Sequence, residues 1–245
     1  MEKKNIVIVG GGAGGLELAV GLAKKLKKQE GNLQFEVTLV DCEKTHVWKP
    51  HLHQIAAGSM YAQAEQLDYL HLASKFGFKF VLGRFISCNS DNKTIKLNAH
   101  LNSRGEELLP AREIHYDTLV MAIGSTSNDF GTPGVKENSY SLDNLPTAER
   151  FHNDLLDKVL QKEHNEDSTP LTITIVGGGA TGVELAAELS DTIQHLSKFG
   201  LNKLKTNPFK ITIINAADVL LPGLSAKISK GAKEILEDLK VDVFN

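Results

Sequence analysis

The sequence lacks the features that mark several common classes of protein. It has no excess of basic residues, since 27 Lys and Arg face 30 Asp and Glu and the formal net charge is −3. A broad positive surface, which binding to a phosphate backbone requires, is therefore not expected, and neither is a nucleic-acid partner. No run of about 18 or more apolar residues occurs, so no segment is predicted to span a membrane.

Cysteine is scarce, with Cys42 and Cys88 as the two thiols. They form neither a CxxC pair nor a metal-ligand set, so we expect no disulfide and a reducing compartment. Lys3 and Lys4 precede an apolar run that superficially resembles a signal peptide, but glycines interrupt the run and no A-x-A cleavage pattern follows. For this chain alone, the sequence predicts a soluble cytoplasmic protein.

What the sequence does contain is one motif twice. Residues 5–17 read NIVIVGGGAGGLE and residues 173–184 read ITIVGGGATGVE. Each segment passes from a β-branched apolar run through glycines into a helical pattern, which predicts a strand, a tight turn and a helix. A second apolar strand is predicted after each helix, at 35–40 and at 209–214, as expected for right-handed βαβ units with parallel strands.

These units predict an α/β protein with two Rossmann-like dinucleotide-binding domains on parallel sheets. We place the first domain at residues 1–144 and the second, which is expected to be incomplete, at 145–245. Further helices are predicted at 64–76, 146–164 and 225–239, and further strands at 78–86, 93–97, 116–122 and 241–244. The strands at 78–86 and 93–97 are expected to be antiparallel. Polar segments at 165–170 and 202–208 are predicted to be a linker and a loop.

Both glycine runs match the G-x-G-x-x-G pattern of dinucleotide-binding turns, although two simple packing turns are the alternative. In the first run, Gly10 permits the turn, Gly12 lets the backbone approach a pyrophosphate, and Gly15 lets the helix pack against the strand. The equivalent residues of the second run are Gly177, Gly179 and Gly182. Asp41 follows the next strand, where its carboxylate can accept both ribose hydroxyls, and Asn215 occupies the equivalent position.

Several longer segments resemble one family. They are VIVGGGAGGLE, LVD, HVWKPHLHQIAAGS, YDTLVMAIGSTSNDFGTPGVKEN and IVGGGATGVELAAEL. Together they look very like type II NADH:quinone oxidoreductases, the single-subunit respiratory NADH dehydrogenases, and the likeness runs over essentially all 245 residues. The resemblance implies a flavoprotein with FAD on the first loop and NADH on the second, which transfers hydride from NADH to FAD and then electrons to a quinone.

The resemblance also assigns cofactor contacts by matching position. It places the FAD pyrophosphate on the first loop, the adenosine ribose on Asp41, and His46 and Lys49 beside the flavin or its phosphates. Main chain near Phe85 would meet the adenine, and the segment from Ala122 to Gly124 would return past FAD. The predicted cofactor-binding residues are Gly10, Gly11, Gly12, Ala13, Gly14, Gly15, Asp41, His46, Lys49, Phe85, Ala122, Gly124, Gly177, Gly179, Gly182 and Asn215.

Glu184 is the predicted catalytic residue, because it matches the family's carboxylate near the nicotinamide and the quinone path, where it would assist proton delivery or fix the substrate. The alternative is a solvated glutamate favoured by the helix dipole, which we prefer for Glu17 in the first repeat. His51 and His53 lie two apart in a predicted loop without a Cys or carboxylate set, so packing or flavin contacts are expected rather than a metal site. No CxxxxC pattern follows Asp41, which argues against a disulfide reductase.

The chain departs from the family pattern in two ways. Asn215 stands where the family usually has an acid, which predicts weaker NADH binding and relaxed discrimination against NADPH. The family also has a longer chain that docks peripherally on the cytoplasmic side of the inner membrane, so a second polypeptide is one expected source of the missing part. The alternatives are a nucleotide-binding remnant without electron transfer, and a sulfide:quinone or ferredoxin-type reductase.

Overall fold

The computed structural model of the chain describes residues 3–27, 35–64, 66–164, 169–198, 201 and 209–245. Most of the polar linker predicted at 165–170 and the whole loop predicted at 202–208 lie outside the described residues. The chain divides into two compact units. Unit 1 comprises Met1–Trp48 and Gln63–Thr126, and unit 2 comprises Lys49–Ala62 and Ser127–Asn245.

Unit 1 is built on a parallel sheet with strand order β11-β1-β2-β5. Its strands are β1 (Lys4–Val9), β2 (Phe35–Asp41), β5 (Lys79–Leu82) and β11 (Thr118–Met121). Ile8 on β1 packs in a buried cluster with helices α1 (Ala13–Leu26) and α3 (Tyr69–Phe76). Val7 and Val9 belong to a second buried cluster, so β1 is covered on both faces, as is typical of parallel sheets.

Unit 1 also contains a three-stranded antiparallel sheet with strand order β10-β7-β6. Its strands are β6 (Phe85–Asn89), β7 (Thr94–Leu97) and β10 (Arg112–His115). The short pairs are β3 (Thr45–His46) with β4 (Leu67–Asp68), and β8 (His100–Leu101) with β9 (Glu107–Leu109).

Two predicted elements of unit 1 differ from those in the structure. The strand predicted at 78–86 is two strands, of which β5 is parallel to β2 and β6 is antiparallel to β7. Gly83 separates them, and its N–H donates to the carbonyl of Asp41 at 2.7 Å. The helix predicted at 64–76 begins later, at Tyr69, because the Asp68 side chain caps it by accepting from the His71 N–H at 2.8 Å.

Unit 2 contains a parallel sheet with strand order β12-β13-β14. Its strands are β12 (Thr172–Val176), β13 (Lys210–Ile214) and β14 (Val241–Phe244). Its helices are α2 (Leu52–Ala57), α4 (Val135–Asn138), α5 (Leu145–His164), α6 (Ala180–Lys198) and α7 (Ala226–Asp238). The predicted helices at 146–164 and 225–239 are confirmed to within a residue at each end, and Ser225 caps α7.

The boundary predicted after residue 144 does not coincide with the division between the units. Residues 127–144 belong to unit 2, where the Ser127 N–H donates to both carboxylate oxygens of Asp143, at 2.9 and 3.0 Å. The segment Lys49–Ala62 also belongs to unit 2, because α2 packs on α5 and α6. Both contacts join residues distant in sequence, and the linear pattern shows neither of them.

The predicted class, α/β with parallel sheets, is confirmed by this topology. Each of the two repeats forms a strand, a glycine turn and a helix, followed by a second parallel strand. Across the described ranges, no helix is both long enough and apolar enough to cross a membrane.

Candidate functional site

The first glycine loop connects β1 to α1, and two of its glycines are in close contact with neighbouring main chain. Gly10 has a φ of +103°, its N–H donates to the Val40 carbonyl at 2.8 Å, and a Cβ there would lie 2.3 Å from the carbonyl oxygen of Ala122. A Cβ at Gly15 would lie 1.8 Å from the carbonyl oxygen of Gly10. A side chain is therefore sterically excluded at both positions.

The other face of the same loop is open. A Cβ at Gly12 or Gly14 would meet no atom of the described chain within 4 Å. Gly12 is the N-cap residue of α1, and no described side chain caps the helix there. The first-turn amides, together with the positive end of the helix dipole, therefore fit an anionic group such as a pyrophosphate. Ala13, which begins α1, is exposed.

Three side chains of unit 1 hold the peptide groups of Gly11. The Gly11 N–H donates to Oδ2 of Asp41 at 2.5 Å, and the Tyr69 hydroxyl donates to the Gly11 carbonyl at 2.6 Å. Nδ1 of His46 lies 2.9 Å from the same carbonyl oxygen. Since a carbonyl oxygen only accepts, His46 must carry a proton on Nδ1 in this arrangement. Burial, with the added negative charge of Asp41, raises the pKa of Tyr69 far above its ordinary value, so its hydroxyl stays a donor.

Asp41 lies where the sequence predicts, directly beside the first loop. Its second oxygen, Oδ1, accepts the Glu43 N–H at 2.8 Å. Each carboxylate oxygen therefore retains one lone pair for a further donor. The adjacent thiol has a raised pKa, because Cys42 is partly buried and lies beside the charge of Asp41. A thiol that stays protonated is a poor nucleophile, which agrees with the argument against dithiol chemistry.

The other residues predicted to contact FAD lie on different elements of the fold. Phe85 begins β6 and packs against the cluster that contains Val7 and Val9. Ala122 follows β11 and donates its N–H to the Val9 carbonyl at 2.7 Å, while Gly124 has a φ of +69°. Lys49 begins a 3-10 turn of unit 2, Lys49–His51, whereas His46 belongs to unit 1.

The second glycine loop repeats the geometry of the first. Gly177 has a φ of +115°, and its N–H donates to the Ile214 carbonyl at 2.8 Å. A Cβ at Gly182 would lie 2.0 Å from the carbonyl oxygen of Gly177, whereas one at Gly179 would meet nothing within 4 Å in the described part of the chain. The two loops therefore present the same combination of tight packing on one side and open space on the other.

Asn215 takes the place of Asp41 beside this loop but is bonded differently. Its Oδ1 accepts the Gly178 N–H at 3.1 Å, as Asp41 accepts that of Gly11. Its Nδ2 donates to the carbonyls of Ala217 and Val219, at 2.7 and 2.9 Å, and the residue is 8% exposed. Both amide hydrogens are thus occupied by main chain, in bonds that a carboxylate could not make.

Glu184 lies in the second turn of α6, and residues 180–183 of the first turn contain no acid. The stabilising effect of the helix dipole is concentrated in the first turn, so it does not account for this glutamate. Oε2 of Glu184 lies 3.4 Å from Nδ1 of His53, and the Glu184 side chain is 52% exposed. One turn later, Glu188 accepts a hydrogen bond from the Ser59 hydroxyl at 2.6 Å. Two carboxylates of α6 therefore contact α2 and the turn that follows it.

The two histidines predicted to lie in a loop are in helical turns. His51 ends the 3-10 turn Lys49–His51, and His53 is a buried residue of α2. Among the described residues, no group of three or more His, Cys, Asp or Glu is arranged to hold a metal ion. Tyr69 and the pair of His53 with Glu184 are the site features that the linear pattern did not indicate.

A family model described as pyridine nucleotide-disulphide oxidoreductase matches residues 4–245. The chain is 40% identical over 255 residues to the type II NADH:quinone oxidoreductase of Haemophilus influenzae, and 28% identical over 244 residues to that of Staphylococcus aureus. These alignments cover 98% of this chain but 57% and 56% of the relatives. The chain therefore spans a little over half the length of the curated relatives it matches.

Two solved structures share the fold. NDH2 from Plasmodium falciparum in complex with NADH has a TM-score of 0.83 and 24% identity, over 99% of this chain and 48% of that one. The sulfide:quinone oxidoreductase from Aquifex aeolicus has a TM-score of 0.71 and 20% identity, over 98% of this chain and 50% of that one. The predicted resemblance to type II NADH:quinone oxidoreductases is confirmed by the curated relatives.

Proposed function

Since the chain belongs to the pyridine nucleotide-disulphide oxidoreductase family, we propose that it is the FAD- and NADH-binding portion of a type II NADH:quinone oxidoreductase. The observation that supports this most directly is the pair of glycine loops. In each, the helix N-terminus faces open space. The side chain of an Asp or Asn at the end of the next strand accepts a hydrogen bond from the N–H of the second glycine. We assign FAD to unit 1 and NADH to unit 2.

The residues of unit 1 fit the pyrophosphate and ribose of FAD. The first-turn amides of α1 would donate to the phosphate oxygens over Gly12 and Gly14, where no side chain intervenes. Asp41 would accept from the ribose hydroxyls with the lone pairs that Gly11 and Glu43 leave unused. His46, Phe85, Ala122 and Gly124 complete the proposed contacts of unit 1 with FAD.

In unit 2 the amides at the start of α6 would hold the pyrophosphate of NADH, again where Gly179 leaves room. Asn215 has one lone pair on Oδ1 for a ribose hydroxyl, without the charge that strengthens such a bond. We therefore propose modest NADH affinity and weak discrimination against NADPH. Titration with both nucleotides tests this point, and a strong preference for NADH would contradict it.

The chemistry that FAD supplies when bound is the transfer of hydride from NADH and of two electrons to a quinone. The protein's part is to position and to assist proton movement, and Glu184 is the proposed group for the latter. Its half-exposed carboxylate can exchange protons with solvent, and Nδ1 of His53 lies 3.4 Å from its Oε2. We propose that a further segment, on this or another polypeptide, corresponds to the rest of the relatives' length. That segment would contact the cytoplasmic face of the inner membrane.

Flavin content tests the binding part of the proposal directly. The purified chain should be yellow or become so on adding FAD, and anaerobic NADH should bleach the flavin absorbance. Quinone should then restore the absorbance, alone or with the remaining segment supplied. A chain that never binds FAD contradicts the proposal, and one that binds FAD but is not reduced by NADH supports a nucleotide-binding remnant instead. Sulfide-dependent bleaching without NADH would favour a sulfide:quinone reductase.

Glu184→Gln tests the proton-handling role. It keeps the size and hydrogen-bonding capacity of the side chain, and because the Glu184 side chain is 52% exposed, stability should change by less than about 1 kcal/mol. Quinone reduction should slow by about tenfold or more. Glu17→Gln, at the same place in the first repeat, is the matched control and should leave the rate unchanged. Equal rates for both variants would remove Glu184 from the mechanism.

A further inference from the structure

The carbonyl of Gly11 points into unit 1, where two donors converge on it. The Tyr69 hydroxyl donates at 2.6 Å and Nδ1 of His46 lies at 2.9 Å. Tyr69 is 2% exposed, and its ring stacks on Phe80 with ring centroids 5.0 Å apart. The N–H of Gly11 is held in turn by Asp41.

The direction of this carbonyl determines the direction of the next amide. In a trans peptide the C=O of one residue and the N–H of the following residue point in opposite directions. When the Gly11 carbonyl points towards Tyr69 and His46, the Gly12 N–H therefore points away from them. A Cβ at Gly12 would meet no atom of the described residues within 4 Å, so the residue that carries this amide is not packed against other parts of the described chain.

The second loop shows that this orientation is a common feature of the repeat. The carbonyl of Gly178, which is equivalent to Gly11, is also held, but by the main-chain N–H of Leu221 at 2.7 Å. The Gly179 amide is thereby directed outwards as well. The two loops reach the same peptide orientation with different donors, a main-chain amide in unit 2 and two side chains in unit 1.

We infer that Tyr69 and His46 are positioning residues that direct the Gly12 N–H at the pyrophosphate of FAD. This inference rests on the proposed function and extends it to a residue outside the glycine motif. It gives His46 a second role beside its proposed contact with FAD, since its Nδ1 lies against the Gly11 carbonyl. Tyr69 needs no contact with FAD for this role, because an amide that is already fixed binds an anion without first losing conformational freedom.

Tyr69→Phe is the primary test, since it removes the hydroxyl and keeps the ring. FAD affinity, measured by quenching of flavin fluorescence, should fall by about 3- to 10-fold, the effect of losing one hydrogen bond. The phosphorus NMR resonances of bound FAD should shift, because the pyrophosphate would meet a differently oriented amide. Tyr116→Phe is the matched control, since Tyr116 is also buried in unit 1 but its hydroxyl contacts Asn89 at 3.5 Å.

Two further variants separate positioning from packing. Phe80→Leu disturbs the ring stack but keeps the Tyr69 hydroxyl, so it should lower stability and leave FAD affinity within about twofold. His46→Phe removes the second donor, and the double variant with Tyr69→Phe should weaken FAD binding by about tenfold or more. If Tyr69→Phe does not fold, His46→Phe tests the same carbonyl.

The outcomes are distinguishable. If Tyr69→Phe and His46→Phe both bind FAD as tightly as the wild-type chain does, with unshifted phosphorus resonances, this inference is overturned. The proposed function would still stand. An equal loss of affinity in Phe80→Leu also overturns this inference, since packing would then explain the effect. A wild-type chain that binds no FAD overturns the proposed function and this inference together.

Discussion

Gly14 and Gly15 are adjacent residues of α1 with opposite surroundings. A Cβ at Gly15 would lie 1.8 Å from the Gly10 carbonyl oxygen, so Gly15→Ala should lower the free energy of unfolding by about 3 kcal/mol. A Cβ at Gly14 meets no described atom within 4 Å, so Gly14→Ala should raise it by up to about 1 kcal/mol, because alanine favours helix. Urea denaturation of both variants measures the contrast.

The same Gly14→Ala variant should behave differently towards FAD. Its methyl group would occupy the open space over the loop, where we place the pyrophosphate. FAD affinity should therefore fall although the protein is more stable. A more stable Gly14→Ala protein with unchanged FAD affinity would show that the pyrophosphate lies elsewhere.

The Asn215 side chain is held by hydrogen bonds to the main chain of the residues that follow it. Asn215→Asp restores the family's usual acid but replaces an amide that donates to the Ala217 and Val219 carbonyls. A carboxylate there loses two buried hydrogen bonds and faces two carbonyl oxygens, so stability should fall by about 2 kcal/mol or more. Thermal or urea denaturation measures this, with the exposed Asp218→Asn as a control expected within about 0.5 kcal/mol of wild type. An unchanged stability in Asn215→Asp would mean that this loop rearranges freely.

At the scale of elements, the carboxylate of Asp143 accepts several hydrogen bonds within the segment that precedes α5. Asp143 accepts from the hydroxyls of Ser127 and Ser141 and from the Ser127 N–H. Burial opposes its ionisation, but these hydrogen bonds outweigh that effect and hold the pKa of Asp143 below its ordinary value. The segment therefore depends on a charged group.

This shift predicts an acid-dependent stability. Because folding lowers the pKa of Asp143, its contribution is complete above the unfolded-chain value of about 3.9 and is lost as pH falls through the folded value. Asp143→Asn should therefore cost about 1 kcal/mol at neutral pH, and the difference from wild type should shrink below about pH 4. Urea denaturation across pH measures it, with Asp157→Asn on α5 as the control. A difference that persists unchanged at pH 3 would contradict this assignment.

At the scale of the whole molecule, the two parallel sheets differ in the number of strands that pair with their first strand. In unit 1, β1 lies between β11 and β2, whereas in unit 2, β12 pairs with β13 and no described strand lies on its other side. Val176 on β12 is 84% exposed. An exposed strand edge with an apolar side chain favours association with other strands.

We therefore expect the 245-residue chain to self-associate through β12 as its concentration rises. Val176→Lys should reduce this association, because a charge on an edge strand opposes pairing. Sedimentation velocity at several concentrations measures the effect. Leu160→Lys changes another exposed apolar residue, on α5, and should have little influence. If the two lysine variants behave alike, the strand edge is not the cause.

The amino-acid sequence alone was enough to predict the repeated strand, turn and helix, the α/β class and the family. These features are encoded in short contiguous segments, since apolar runs, helix periodicity and glycine spacing are local properties of the chain. The position of Asp41 beside the first loop also follows from local pattern, because the carboxyl ends of adjacent parallel strands meet at one edge of a sheet.

The side chains that surround the glycine loops depend on tertiary packing. Tyr69 and His46 reach Gly11 across 58 and 35 positions of sequence, and Asn215 reaches Gly178 across 37. The inclusion of Lys49–Ala62 in unit 2 likewise depends on helices far along the chain. Such contacts are set by packing between elements that local propensity does not relate, so the linear pattern contains the loops but not the side chains that orient them.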